Sequence, residues 1–504
     1  MSDNWHVLQG DCREQLRQLR EGCLDACVTD PPYEIEFMNR AWDGSGVAFQ
    51  VDTWREVYRV LKPGAYLLAF SGKYWHRMAV AIEDAGFEIR DWIDWVYGNG
   101  FPKYLSASKA IDAHFGVKSG DRPIVGEKRG ADILRAYHPT DDRHTGATGW
   151  QESGRDPNLR GSVTPEARRW DGWSTALKPA HEPIIIARKP LVGTVAENIL
   201  EHGTGVMNTN ACRVGSEGGG DATQTCRYRP GPCQGHDTPN SLSGGVTYHK
   251  DPTGESAGRW PPNLLLSHAD DCEYLGERVE KVAKNVAPVG EIHSDGWGTR
   301  EMMTTDADVK TAVYRCVPGC PVLALDQQSG ASASRKGKPR ASAQPGDGWG
   351  MTATGAEYDD AGGASRFFPT FYCAKPTRKE RDLGCDELPM VAGHAIVDRE
   401  EGSAGVSNPR AGAGRTSGGR NSHPTVKPIK LMRWLVRLVA PPGGVVLDPF
   451  CGSGTTGMAS LLEGARFLGV ELGDEPNIME ICRARIAHAE KQAILAASAK
   501  VVAR

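Results

Sequence analysis

The chain is expected to fold as an α/β protein, a sheet with helices on both faces. Three observations predict it. A largely apolar run at 24–28 reads as a buried strand that ends in an acid, Asp30. A second apolar run at 445–447 ends in Asp448 and enters a glycine-rich turn. Around both, strand-like and helix-like stretches alternate: 51–60 reads as a helix, 65–70 as a strand, 76–85 as a helix and 87–97 as a strand. Residues 183–187 read as a further strand, 455–463 as a helix and 466–470 as a strand. Ligands in open α/β sheets gather at the carboxyl ends of strands. The turns after Asp30 and Asp448 are therefore expected to meet in one cleft, although they lie near opposite ends of the chain.

Composition bounds the reading. The 504 residues suffice for two or three domains, and 39% hydrophobic content supports a sizeable core. Mean hydropathy is −0.44, and no run of about 18 apolar residues suggests a membrane span. Residues 1–4 lack the basic and apolar stretches of a signal peptide, so a cytoplasmic protein with no membrane partner is expected. A net charge of −4 does not favour nucleic-acid binding by bulk charge. Contact with phosphates must rest on local patches such as 335–340, or Lys375, Arg378, Lys379 and Arg381, or Arg410, Arg415 and Arg420.

The turn after the first strand is Asp30-Pro31-Pro32-Tyr33. Each proline fixes its φ, lacks an N–H and biases the residue before it toward extended geometry. The turn therefore offers a carboxylate, free carbonyls and an aromatic face. An exocyclic amine lying flat against Tyr33 suits that set, with two N–H donors for the acceptors and a ring to stack. The second turn, Asp448-Pro449-Phe450-Cys451-Gly452-Ser453-Gly454-Thr455-Thr456-Gly457, leads from strand to helix. Glycines admit a ligand close to the backbone, and the helix start offers unpaired N–H groups. Gly452, Gly454 and Gly457 satisfy the dinucleotide spacing, and Glu471 follows the next strand, where it can hold ribose hydroxyls.

These two turns closely resemble motifs IV and I of the amino-group DNA methyltransferases. The order, catalytic motif first and cofactor motif last, is similar to the beta class of that family. Residues 7–12 resemble the strand whose acid, here Asp11, sits near the cofactor adenine. Residues 59–64 with 65–70 resemble the next helix end and strand. His423-Pro424-Thr425-Val426-Lys427-Pro428, followed by an amphipathic stretch at 431–439, resembles motif X. The resemblance covers roughly the first 190 residues and the last 135.

It implies a circularly permuted Rossmann-like methyltransferase sheet with a loop-rich central insert for target recognition. The implied parts are 1–190, the catalytic half, 191–370, the insert, and 371–504, the cofactor half. It implies S-adenosylmethionine as cofactor, bordered by Asp11, Asp448, Phe450, Gly452, Gly454, Thr455, Glu471, Thr425 and Lys427. Asp30, Pro31, Pro32 and Tyr33 would hold the amine of a base flipped from double-stranded DNA. An acid at the first position of the tetrapeptide favours adenine-N6; cytosine-N4 follows from the same geometry. The class commonly forms homodimers, an expectation that extends here, and a partner nuclease cannot be read from the sequence.

The insert is rich in glycine, serine, threonine and aspartate at 202–260 and 329–365, stretches that read as long loops. Arg259 and Trp260 are candidate DNA contacts. Asp-Gly-Trp recurs at 171–173, 295–297 and 347–349 and reads as three tryptophan-anchored turns. His268 and Cys272 with Cys316 and Cys320 form two pairs flanking a polar segment, a pattern suited to structural zinc. Cys212, Cys226 and Cys233 are competing ligands. Most other cysteines are expected in the core, unbridged.

Rival readings stay open at this stage. An RNA or protein amine substrate fits the tetrapeptide but not the permuted order with its large insert. A nicotinamide dehydrogenase fits the glycine turn but leaves Asp30-Pro31-Pro32-Tyr33 unexplained. A non-catalytic DNA-binding relative would bind cofactor without turnover.

Overall fold

The strands, numbered along the chain, are β1 (Trp5–Gln9), β2 (Leu24–Thr29), β3 (Leu61–Phe70), β4 (Glu88–Val96), β5 (Ile124–Glu127), β6 (Asn158–Arg160), β7 (His181–Arg188), β8 (Leu264–Ser267), β9 (Glu273–Val286), β10 (Met303–Arg315), β11 (Ser332–Ala333), β12 (Ala361–Gly362), β13 (Thr370–Phe371), β14 (Val445–Asp448) and β15 (Arg466–Glu471). They come from a computed structural model that describes residues 3–35, 41–97, 105–127, 158–214, 260–269, 272–286, 303–333, 361–371, 376–396 and 418–502. Nine strands form one sheet in the order β1-β15-β14-β2-β3-β7-β4-β8-β13. Only β7 runs against its neighbours; the other pairings are parallel.

Burial explains why the parallel strands read as apolar runs rather than as alternating ones. β2 is buried at every position and β3 over its last seven, as expected for a sheet covered on both faces. Alternate residues still sort to opposite layers. Ala26, Val28, Leu68, Phe70, Ile184 and Ile186 pack with Leu431, Leu435 and Leu438 of the helix Ile429–Val439. Cys27, Leu67, Ala69 and Ile185 pack on the other face with Trp54, Val57 and Val60 of the helix Val51–Val60. Helices therefore cover both faces, as the alternation of the sequence predicts.

The two ends of the chain meet at the centre of this sheet. β14 pairs with β2 at Val446 with Ala26 and Leu447 with Cys27. Asp25 ties their amino ends together: it accepts from the Val445 N–H at 2.7 Å and from Lys62 at 2.6 Å. On the far side the helix Ile429–Val439 docks through charge as well as apolar surface. Arg433 and Arg437 both pair with Glu463, at 2.6 and 2.8 Å.

The stretch 191–370 is joined to the sheet rather than hanging from it. It supplies β8 and β13 to the edge beyond β4, with Trp95 Nε1 donating to Ser267 Oγ at 2.7 Å. Asn198, wholly buried, donates to the Pro63 carbonyl. β9 and β10 form a separate antiparallel hairpin, and β5 with β6, and β11 with β12, form two short ribbons. Several sequence readings lie outside the described residues: the basic stretch 335–340, Lys375, Arg410 and Arg415, Arg259, Cys226 and Cys233, and the Asp-Gly-Trp turns at 295–297 and 347–349.

Candidate functional site

Asp30 follows the last residue of β2, and Asp448 ends β14, so adjacent strands deliver both acids to one edge. The two strand ends are tied directly: Thr29 Oγ1 donates to Asp448 Oδ1 at 2.6 Å. The turn after Asp30 is shaped from below by buried Asp43, which accepts from the N–H groups of Tyr33 at 2.7 Å and Glu34 at 3.0 Å. This anchor holds Glu34 at φ 55°, a left-handed backbone that few side chains adopt. Gly72, just past β3, makes room for Tyr33. A Cβ there would fall 2.8 Å from the tyrosine ring.

Asp30 is held on one side only. Its Oδ2 lies 2.7 Å from Lys427 Nζ, whereas Oδ1, shielded from solvent, has no hydrogen-bond partner among the described residues. Burial raises the Asp30 pKa above the usual carboxylate range, and the Lys427 ammonium offsets this in part. Burial alone would lower the Lys427 pKa, but Asp30 and Glu182 together raise it. Tyr33 Oη donates to Glu182 Oε2 at 2.9 Å, and burial with the two nearby carboxylates holds its pKa far up, so it stays a donor.

The glycine turn is built differently. Asp448 is 2% exposed and accepts from Thr29 and Thr456 hydroxyls, each at 2.6 Å, and from the Phe450 N–H at 3.1 Å. Burial nonetheless pushes its pKa up to about 6. Gly452 and Gly454 adopt φ of 51° and 80°. A Cβ on Gly452 would close to 3.2 Å on the His423 ring, and one on Gly454 to 3.0 Å on Cys482. Behind the turn, wholly buried Arg485 donates to the Ser453 carbonyl at 2.7 Å and to Thr455 Oγ1 at 3.0 Å. Glu471, at the end of β15, accepts from the N–H groups of Gly452 at 2.7 Å and Gly473 at 3.2 Å. Beyond it the ends of β1 and β15 open on a polar cavity of about 400 Å³ lined by residues that include Gln9, Gly473, Asp474 and Asn477.

The remaining expected residues divide into two groups. Asp11 caps the helix Cys12–Arg17, and Arg13 holds its carboxyl below the usual range. Phe450 leans on Trp54, with ring centroids 6.3 Å apart. Thr425 is half-buried two residues before Lys427. Lys427 itself, expected to border the cofactor, places its ammonium on Asp30 and Glu182. Its long stem carries the charge to the Asp30 turn.

Two features escaped the sequence reading. Glu182 is the second residue of β7, and because β7 is reversed, its first residues lie at the same edge as Asp30. Only an acid placed just before an apolar strand, Glu182-Pro183, signals it. Trp42 stacks over His423 at 6.2 Å and donates to Glu475 at 2.8 Å, beside the glycine turn. No periodic pattern marks that tryptophan.

At the β8 edge His268, Cys272, Cys316 and Cys320 come together, their ligand atoms within 4.8 Å of one another. His268 follows β8, Cys272 and Cys316 flank the β9–β10 hairpin, and Cys320 caps the helix Pro321–Ser329. Burial and neighbouring thiols push Cys316 up to about 12. Burial also opposes a Cys320 thiolate, but the His268 ring and the backbone N–H groups of Leu323 and Ala269 bring it down to about 6. Three thiols and one imidazole at this spacing suit a tetrahedral cation that neutralises the crowded sulfurs. Cys212, a competing ligand by sequence, is buried instead against the helix Ile429–Val439, near the Trp434 carbonyl.

Comparison with known proteins adds an independent finding. The family profile described as DNA methylase matches residues 24–203 and 328–478, well over half of the chain. DNA adenine methyltransferase YhdJ of Escherichia coli (strain K12) is 43% identical over 54 residues, 11% of this chain and 18% of that protein. Type II methyltransferase M.HindIII of Haemophilus influenzae is 27% identical over 166 residues, 32% of this chain and 38% of that protein. The matches thus span well under half the length of these relatives. Among solved structures, the DNA modification methylase TTHA0409 of Thermus thermophilus, complexed with S-adenosyl-L-methionine, is 15% identical with a TM-score of 0.31. That alignment covers 97% of this chain and 94% of that one.

Proposed function

The chain belongs to the DNA methylase family, and from that membership we propose that it methylates the N6 amine of adenine in double-stranded DNA, with S-adenosylmethionine as donor. The observation that carries the proposal is the buried Asp30 Oδ1, which has no hydrogen-bond partner among the described residues and lies just past the strand that pairs with the one leading into the glycine turn. A flipped base stacked on Tyr33 would donate one amine hydrogen to Oδ1 and the other to the Pro31 carbonyl. These acceptors favour a pyramidal nitrogen and strengthen as positive charge develops on it, which is selective stabilisation of the transition state.

The residues fit the donor. Gly452 and Gly454 keep the turn free of side chains at positive φ, and Glu471 is positioned by two backbone N–H groups at the strand end that would face ribose hydroxyls. When bound, S-adenosylmethionine supplies an electrophilic sulfonium methyl, so no nucleophilic enzyme side chain is required. The chain's own residues would orient the amine, Asp30 Oδ1 and the Pro31 carbonyl each taking one of its hydrogens so that the nitrogen lone pair faces that methyl.

Adenine rather than cytosine is preferred because Asp30 heads the tetrapeptide, and the name of the Escherichia coli relative agrees. Nucleoside mass spectrometry on mixed-sequence DNA, run beside Asp30→Ala, tests this. N6-methyladenine from the unsubstituted protein alone is the expected result. N4-methylcytosine would overturn the base, and an absence of methylated nucleosides would overturn the reaction.

The Cys272, Cys316, Cys320 and His268 cluster is proposed as a structural zinc site, since its ligands tie β8, both ends of the β9–β10 hairpin and a helix to one point. A reducing cytoplasm would keep these thiols available. One zinc per chain by elemental analysis is expected, with loss in Cys320→Ser; a metal-free protein would refute the site.

A further inference from the structure

The charges around Asp30 do not match what a lone acceptor needs. A single ammonium, Lys427, lies between two carboxylates, 2.7 Å from Asp30 Oδ2 and 3.5 Å from Glu182 Oε2. It is also 5.2 Å from the centroid of the Tyr33 ring and 4.9 Å from that of Phe70, so its surroundings are aromatic and poor in water. Glu182 Oε2 accepts the Tyr33 hydroxyl as well. One carboxylate therefore touches both the charge partner of Asp30 and the ring on which a base would stack.

We infer that Glu182 is a positioning residue: it shares the Lys427 ammonium with Asp30 and pins the Tyr33 ring, leaving one Asp30 oxygen open to the substrate amine. The inference rests on the proposed amine-methylating role of Asp30. Its physical basis is a balance. An ammonium drawn wholly onto Asp30 would neutralise the acceptor and withdraw electron density from it. No ammonium at all would leave a buried carboxylate that prefers to be protonated and could not accept. Divided between Asp30 and Glu182, the same ammonium keeps Asp30 ionised while the three groups together retain one net negative charge for the nitrogen cation that develops. The groups facing this centre are Asp30 after β2, Tyr33 in its turn, Tyr97 after β4, Glu182 in β7, Lys427 before the helix Ile429–Val439, and Asp448 at the end of β14.

Tyr33 completes the argument. A buried hydroxyl needs an acceptor, and the one that takes it here is the carboxylate that also holds Lys427. A base that shifts the ring therefore moves the acceptor of the lysine, and substrate position is coupled to the charge on Asp30.

The test uses Glu182→Gln, Glu182→Ala and Lys427→Met in the full chain. Cofactor affinity by calorimetry is the folding control for the two Glu182 variants and is expected to stay within about twofold; the fold of Lys427→Met is checked by chemical unfolding instead. Glu182→Gln is expected to lower kcat roughly 10²-fold with little change in KM for DNA. Opposite shifts of the acid limb of the kcat profile carry the proposal. Glu182 raises the Asp30 pKa, so Glu182→Gln moves the limb to lower pH; Lys427 lowers it, so Lys427→Met moves the limb to higher pH. Shifts of the same sign, or none, would overturn the inference, because a merely structural residue gives no opposed pair.

A second readout needs no turnover. In protein labelled at tyrosine Cζ, the Tyr33 resonance, assigned by Tyr33→Phe, should move in Glu182→Ala. If it does not, the tie between Glu182 and the ring is absent and the inference fails. If the unsubstituted protein methylates no DNA, the proposed function falls, and the Tyr33 resonance still decides the geometry.

Discussion

The ends of β2 and β14 are neighbours in the sheet, and each leads through an aspartate and a proline into a turn, yet the two acids are treated in opposite ways. Asp448 accepts from two hydroxyls and a backbone N–H, and every one of these bonds comes from the protein itself. Asp30 has one lysine on one oxygen and no partner on the other among the described residues. A buried polar atom without a partner costs free energy, so the first arrangement suits a clamp that shapes a turn and the second suits a place reserved for a ligand. The same residue type at the same kind of position thus sits in two different surroundings, decided by which donors are near it.

The largest effect that tests this contrast is expected at Asp30. Asp30→Ala should reduce turnover by at least about 10³-fold, the scale of losing an oriented acceptor in a water-poor site, with cofactor affinity nearly unchanged by calorimetry. Retained turnover would break the comparison at once. Asp448→Ala should act on the fold instead. It strands the buried Thr29 and Thr456 hydroxyls and releases the glycine turn, at about 2–4 kcal/mol in denaturant unfolding, with cofactor binding lost alongside. Unfolding stability equal to that of the parent chain would show that the clamp is not one.

Arg485 sharpens the contrast from behind the turn. Its Nη1 holds the Ser453 carbonyl, while Nε and Nη2 are buried without partners among the described residues. Arg485→Met removes a costly buried charge along with a useful donor, so stability should change by no more than about 1–2 kcal/mol. Cofactor affinity should fall roughly tenfold as the turn loosens. Calorimetry and chemical unfolding separate the two effects, and unchanged affinity would mean that the turn is rigid without its backing.

A last effect concerns pH. The folded pKa of Asp448 is pushed up to about 6 from a reference of 3.8, so the folded state binds the extra proton between those values. Stability from this group is therefore greatest at low pH, declines as pH rises from about 4 to about 6, and is flat above. Asp448→Asn should abolish that slope in unfolding free energies measured across this window. A slope of the same size in the variant would assign it to other groups.

Much of this was legible in the sequence because it is local. Strands buried on both faces are apolar throughout, so β2, β14 and β7 stand out as runs. The helix Val51–Val60 buries Trp54, Val57 and Val60, a helical spacing, and was readable for that reason. The glycine turn and the four residues from Asp30 to Tyr33 announce themselves by proline and glycine. The His268, Cys272, Cys316 and Cys320 pairs were readable from thiol and imidazole spacing, and the fold brings all four together. Glu182, Trp42 and the placement of Lys427 were not readable, because each acts across elements far apart in sequence.

The sequence by itself determined the class of sheet and the two turns at its edge, since apolar runs, prolines and glycines constrain the backbone wherever they occur. Only the tertiary structure decided which acid is saturated and which is open. That depends on donors such as Thr29, Thr456 and Lys427, brought to the same edge by strand pairing and by the reversal of β7. Hydrogen bonding at a buried carboxylate is a property of its neighbours in space, and no local pattern encodes them.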